Sequence, residues 1–164
     1  MRTPYIDTEL LSQIILEGLS GVEVLRDIAV SPEGQLRIVN GDFVEVSGED
    51  AIEQHIRWRI LTPLGSWLVE PACGSRIFDF TGSPLSPETA QKLEMVVWEA
   101  LTHDGFLDTE LTRVHVAPID HGTVAVVIVV GEMESLFQFT LNLPSGEISG
   151  WEKRKIDIQD YEFL

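Results

Sequence analysis

Residues 41–82 read GDFVEVSGEDAIEQHIRWRILTPLGSWLVEPACGSRIFDFTG, and the order of local signals there constrains the fold more than any other stretch of the chain. Asn40-Gly41 leads into it with the strongest two-residue hairpin signal, because both positions tolerate positive φ. Phe43, Val44 and Val46 follow as a return strand. Ser47 is read as the cap of a first helix, with Asp50 three residues on as a short capping-box equivalent. Ile52, Ile56 and Ile60 recur every fourth residue and give that helix one core stripe. Thr62-Pro63 stops it, since proline disfavours helix in the residue before it. Gly65 turns the chain, Trp67-Leu68-Val69 reads as a short strand, and residues 71–74 must be irregular.

The rest of the chain supplies a second helix and more strand. Upstream, Asp27, Ile28, Ala29 and Val30 form a strand, Ser31-Pro32-Glu33-Gly34 a turn, and Leu36, Ile38 and Val39 the strand entering the Asn-Gly hairpin. Ser86-Pro87-Glu88 starts the second helix with an N-cap serine, a first-turn proline and an acid at the positive dipole end. Ala90, Leu93, Val97 and Leu101 line its buried face, and Gly105 is placed as its C-terminal cap. Three strands are predicted after it. Residues 111–117 form the first. Residues 123–130, apolar on both faces, form a central one. Residues 136–143 form the third, with Phe137, Phe139, Leu141 and Leu143 alternating against Gln138, Thr140 and Asn142, one dry face and one wet.

Two segments flank this body. Residues 1–21 read as a helical arm, with Thr8 as cap, Leu11, Ile14 and Ile15 as an apolar stripe, and Gly18 and Gly21 at its end. Residues 147–164 read as an extension lacking a core of its own, and carry the basic run Lys153, Arg154, Lys155. The predicted class is therefore α+β: a small mixed or antiparallel sheet packed against two main helices, with an N-terminal helical arm (1–21), a central domain (22–146) and a C-terminal extension (147–164).

Charge and composition narrow the function. The chain of 164 residues is long enough for one real core, and its net charge of −16 comes from 27 acidic against 11 basic residues. Such a field repels phosphate, so nucleic acid and anionic lipid are not expected partners. Trp58, Trp67, Trp98 and Trp151 do not interleave with a basic stripe either. Cys73 is the single cysteine, which rules out an internal disulfide and suits a reducing compartment. The beginning of the chain shows no signal-peptide pattern, and no apolar run approaches the roughly 20 residues that span a bilayer. Synthesis in a cytoplasm is the expectation.

Catalytic chemistry finds only weak footing. A glycosidase needs two carboxyls roughly 5 to 9.5 Å apart, and Glu70 with Asp79 is the one pair worth naming. The preferred reading is structural: Glu70, Pro71, Gly74 and Arg76 shape a loop, with Glu70 paired to a cation such as Arg76. Cys73 lacks a placed base and reads as a small buried side chain. His115, Asp120 and His121 do not have the spacing of a zinc pattern, so an exposed turn is preferred. Gly65 and Gly74 are isolated turn residues rather than a phosphate loop. No catalytic residue, metal or cofactor is assigned.

The Gly41-Asp42 strand, Gln54 with Ile56 on the helix, Leu61-Thr62, Gly65, then Pro71 and Gly74 together resemble the small baseplate wedge proteins of contractile phage tails. That family is also called sheath-initiator or gene-W-like, is sometimes labelled lysozyme-like, and includes components of type VI secretion and extracellular injection systems. The likeness runs over roughly residues 27–143. Ser66 and Cys73 depart from it, standing where members often have an acid and an aromatic. The resemblance implies a non-enzymatic scaffold in the tail baseplate or injection-system particle, made in a bacterial host cytoplasm. Its implied partners are the sheath protein, other wedge proteins and, as a further candidate, the tail tube. The first sheath ring would add strands to its sheet. On that expectation the partner-binding residues are Leu136, Gln138, Thr140 and Asn142, on an edge strand, with Lys153, Arg154 and Lys155 reaching a neighbour. The alternatives are a tail-associated peptidoglycan hydrolase and an assembly chaperone absent from the particle.

Overall fold

The computed structural model describes residues 25–156. The helical arm expected over 1–21 lies outside the described residues, as does everything beyond 156. The fold is α+β, with two α-helices and antiparallel sheets of two, two and four strands among the described residues. The chain divides into two compact units, Met1–Ile56 and Arg57–Leu164, the break falling inside the first helix.

In the first unit, β1 (Arg26–Ile28) pairs with β4 (Glu45–Ser47), and β2 (Ile38–Val39) with β3 (Asp42–Phe43). Asn40 and Gly41 take φ of 53° and 83°, so the expected hairpin forms on the left-handed turn that needs them. Three backbone bonds then close a ring: Arg37 N–H donates to Ala29 O (2.9 Å), Ala29 N–H to Val44 O (2.7 Å), and Val44 N–H to Arg37 O (3.0 Å). The three predicted strand segments thus close on one another. Gln54 of α1 (Glu49–Leu61) satisfies its rim, accepting from Val30 N–H at 2.8 Å and donating to Ile28 O and Asp27 Oδ2.

The start of α1 differs from expectation. Ser47 is committed to the β4 ladder opposite Arg26, and Gly48, at φ 62°, makes the reversal. The first helical residue is therefore Glu49, with Glu49 and Asp50 at the positive end of the dipole. The stripe is as predicted: Ile52, Ile56 and Ile60 are all buried, and the helix ends at Leu61 before Thr62-Pro63.

In the second unit, α2 (Pro87–Thr102) is capped by Ser86, whose Oγ accepts from Thr89 N–H at 3.1 Å. Leu93, Val97 and Leu101 are fully buried, with Ala90 half-buried. Gly105 (φ 76°) donates to Thr102 O just past the helix end. The sheet runs β5 (Thr112–Pro118), β6 (Thr123–Val130), β7 (Ser135–Asn142), β8 (Glu147–Lys155), antiparallel and in chain order. β6 is interior, as its apolar composition predicts, and on β7 Phe137, Phe139 and Leu141 are buried while Gln138, Thr140 and Asn142 are half-buried.

Three expectations are corrected. Trp67, Leu68 and Val69 form no strand; Leu68 and Val69 are 91% and 82% exposed, with no neighbouring strand to pair with among the described residues. Residues 136–143 are not an edge, because β7 is paired with β6 on one side and β8 on the other. Residues 147–155 are not an extension beyond the domain but its fourth strand. What hides that strand in the sequence is a bulge. Gln138 faces Glu152 and Thr140 faces Ser149, so Phe139 lies opposite two residues, Gly150 and Trp151. Gly150 takes φ 66°, the left-handed conformation of a glycine bulge. One extra residue reverses which side chains face which way. Ile148 before the bulge and Trp151 after it therefore share one face.

Candidate functional site

The two edges of the four-stranded sheet are unlike. On the β5 edge, α2 runs alongside, and Glu94 Oε1 accepts from Val116 N–H at 2.9 Å, occupying an outward donor of the strand. The other edge is β8, nine residues long and outermost among the described strands. Ile156 N–H donates to Glu134 O at 2.8 Å, so by strand alternation the N–H groups of Trp151, Lys153 and Lys155 point away from β7.

β8 is held from its inner side. Trp151 stacks on Phe139 with ring centroids 4.6 Å apart, and the Arg57 guanidinium lies 5.3 Å over the Trp151 ring. Thr140 Oγ1 donates to Ser149 O at 3.1 Å, and Lys155 Nζ donates to Met133 O at 2.9 Å. The basic run is split by the pleat: Lys153 and Lys155 stand beside Phe137 and Ser135, while Arg154 stands beside Leu136 on the opposite face. There Leu136, Gln138, Glu152, Lys153 and Arg154 line a shallow hollow of about 220 Å³.

The predicted partner residues are therefore gathered on two adjacent strands, but in different roles. Lys153, Arg154 and Lys155 lie on the outer strand. Leu136 is buried, Gln138 and Thr140 are interior to the sheet, and the Asn142 carboxamide serves the turn after β7, where Oδ1 accepts from Ser145 N–H (3.0 Å) and Oγ (2.9 Å). Gly150, Trp151 and Glu94 were missed. A lone glycine between Ser149 and Trp151 in a stretch of alternating polarity is the signal that identifies a bulge.

The loop at 62–76 behaves as a clamp on the end of α1. Ser75 Oγ donates to Ile60 O at 2.9 Å, Ser75 N–H donates to Thr62 O at 2.8 Å, and Gly65 N–H donates to Pro71 O at 3.0 Å. Gly74 lies so close that a Cβ there would stand 2.7 Å from Thr62 O. Pro71 thus accepts a bond within the loop, and Gly74 sits where the backbone passes too close for a side chain. The expected Glu70–Arg76 pair is not formed: Arg76 Nε meets Asp79 Oδ2 at 3.0 Å across one short 3-10 turn (Ile77–Phe80), a nearer partner, and Glu70 is exposed. Cys73 is buried.

Asp120 is a turn residue. Its Oδ1 accepts from Gly122 and Thr123 N–H (2.9 and 2.8 Å), and these bonds hold its carboxyl below the usual aspartate range. Among the described residues no group of three or more His, Cys, Asp or Glu side chains converges, and no helix is long and apolar enough to cross a membrane.

One unforeseen pair ties the last turn of α1 to the end of α2. Arg59, buried, reaches both oxygens of Asp104 at 3.1 and 2.7 Å, donates to Ala100 O at 3.3 Å and stacks 4.3 Å over the Phe106 ring. Neither a scan of protein-family models nor a search of characterised proteins finds a match for the chain.

Proposed function

We propose that this chain is a structural component of the baseplate wedge in a contractile tail or injection system, linking the wedge to tube and sheath. In this reading it templates the first sheath ring by accepting a strand from the sheath protein, and its role is mechanical rather than catalytic. The observation that carries the reading is the asymmetry of the sheet: one edge is covered by α2 through Glu94, and the other is a long strand anchored from behind. β-augmentation needs such an edge, because backbone groups supply much of the affinity and alternating side chains the register. The exposed Leu68 and Val69 on the clamped loop also suit a subunit that is covered in an assembly.

Lys153→Pro tests this. Proline at 153 removes an outward donor and leaves the inward ladder intact, a substitution that edge strands accept. The expected variant has an unchanged circular dichroism spectrum and thermal midpoint but yields tubes with little or no sheath in electron micrographs. Gln138→Pro, inside the sheet, unfolds the protein and serves as the contrast. A folded Lys153→Pro protein that builds full-length sheath would reject the reading. Mass spectrometry of purified particles checks the companion point, since a chain missing from them is a helper and not a part.

A further inference from the structure

We infer that Arg57 and Trp151 form a receptor for a single carboxylate side chain of a partner protein. The site is made of side chains from α1 and β8, so it holds whether or not β8 accepts a strand. Phe139, fully buried on β7, stacks on Trp151 with centroids 4.6 Å apart, and the Arg57 guanidinium lies 5.3 Å over the same indole. The three groups form one stack whose innermost layer belongs to the core. Arg57 Nε is buried and has no hydrogen-bond partner, while its two Nη atoms bond to no described residue and do not share that burial. The inner edge of the guanidinium is thus set against the protein, and its outer edge faces solvent.

Two residues on, Arg59 shows the same arrangement completed within the chain. Its Nε is likewise buried without a hydrogen-bond partner, and its guanidinium lies 4.3 Å over the Phe106 ring. There the two Nη atoms meet a carboxylate end-on, 3.1 and 2.7 Å from the Asp104 oxygens. Arg57 has the aromatic face and the buried Nε, but no carboxylate among the described residues pairs with its fork. A chain with 27 acidic residues does not lack counter-charges, so the open fork follows from placement rather than composition.

The chemistry of the fork selects the ligand. Stacking fixes the plane of the guanidinium, so little side-chain freedom is lost when it binds. Two parallel N–H groups match the two oxygens of a carboxylate with charge-assisted bonds. Phosphate fits the same fork, but repulsion from a protein of net charge −16 grows with the charge of the ligand. One acidic side chain meets less of it than a phosphate dianion or a nucleic-acid strand.

The test is NMR of the full-length chain, following the Nε–H signals of Arg57 and Arg59, both shielded from water, and the Trp151 indole N–H. The probe is the α-amide of N-acetylglutamate, compared at matched ionic strength with the same amide of N-acetylglutamine and with inorganic phosphate. The glutamate probe is expected to shift the Arg57 and Trp151 signals, to bind at least about tenfold tighter than its neutral isostere, and to leave Arg59, already paired with Asp104, unmoved. Arg57→Lys keeps the charge without the planar fork. With an unchanged circular dichroism spectrum it should lose most of that margin, read at the Trp151 indole. Should the variant fold poorly, the comparison of the two probes on the unaltered chain still decides. Glutamate and glutamine probes acting alike would overturn the inference and leave Arg57 as a cover for Trp151. A folded Arg57→Lys protein that binds as tightly as the unaltered chain overturns recognition by the fork. Phosphate shifting Arg57 as strongly as the glutamate probe overturns the carboxylate preference in favour of a general anion site. Equal shifts at Arg59 overturn the location.

Discussion

The pairing of Arg59 with Asp104 gives the sharpest quantitative expectation. The Arg59 side chain is 11% exposed and Asp104 39% exposed, so the pair is desolvated from one side only. Two charge-assisted hydrogen bonds at about 1.5–3 kcal/mol each set a gross ceiling of about 3–6 kcal/mol. Asp104 rehydrates when its partner is removed, which returns part of that, so Arg59→Ala is expected to cost about 2–4 kcal/mol. In a double-mutant cycle of Arg59→Met with Asp104→Asn, measured by urea unfolding at neutral pH, the coupling should be about 1.5–3 kcal/mol. The exposed pair Lys92–Glu88, at 2.7 Å on the surface of α2, is the internal control and should couple far more weakly, since water screens it on every side. Burial alone would raise the Asp104 carboxyl, but the Arg59 hydrogen bonds and charge, with Phe106 N–H and His103, outweigh it and leave it below the usual range. A depressed folded value means the stabilisation is complete above the ordinary aspartate pKa and is lost as pH falls through the lowered one. Coupling no larger than that of Lys92–Glu88, or coupling that does not fade in acid, would refute the account of this pair.

Two further predictions concern packing. Ile56→Ala and Leu93→Ala, both at fully buried positions, should each destabilise by about 2–5 kcal/mol in urea unfolding, against no comparable change for the exposed Gln91→Ala. Gly74→Ala should cost about 2–4 kcal/mol by thermal melting, since the new Cβ meets backbone at Thr62 and Leu64 and the φ of 137° is itself strained. Gly65→Ala, with open space around it, should cost about 1 kcal/mol from its φ alone.

What the sequence made legible was whatever rests on near neighbours. The Ser86 cap, the isoleucine stripe, the Asn40-Gly41 turn and the apolar run of β6 each depend on residues a few positions apart, and each formed as read. The interior place of β7 was not legible, because its alternation is the same whether one or two strands flank it. β8 was missed because the bulge at Gly150 shifts its alternation midway, leaving Trp151 and the lysines out of phase with Ile148. Trp67, Leu68 and Val69 have strand-forming side chains, yet strand needs a partner, and none lies beside them among the described residues. Ser47 lost its capping role to a ladder that local pattern cannot foresee. Arg59 and Asp104 are separated by 45 positions, a distance at which charge patterning gives no signal. Of the candidate site, the basic run and the loop glycine were visible; the covering of one sheet edge by Glu94 depends on where α2 lies.

The order of the four-stranded sheet has a kinetic consequence. Each strand pairs with the one made just before it, so every ladder closes a short loop, and closure entropy grows with loop length. Sheets of such low contact order form fast, whereas bringing α1 against the end of α2 closes a far longer loop and should come later. During vectorial synthesis β5, β6 and β7 are complete before β8 leaves the ribosome. Until then β7 is itself the growing edge, and Phe139 waits bare for Trp151 to cover it.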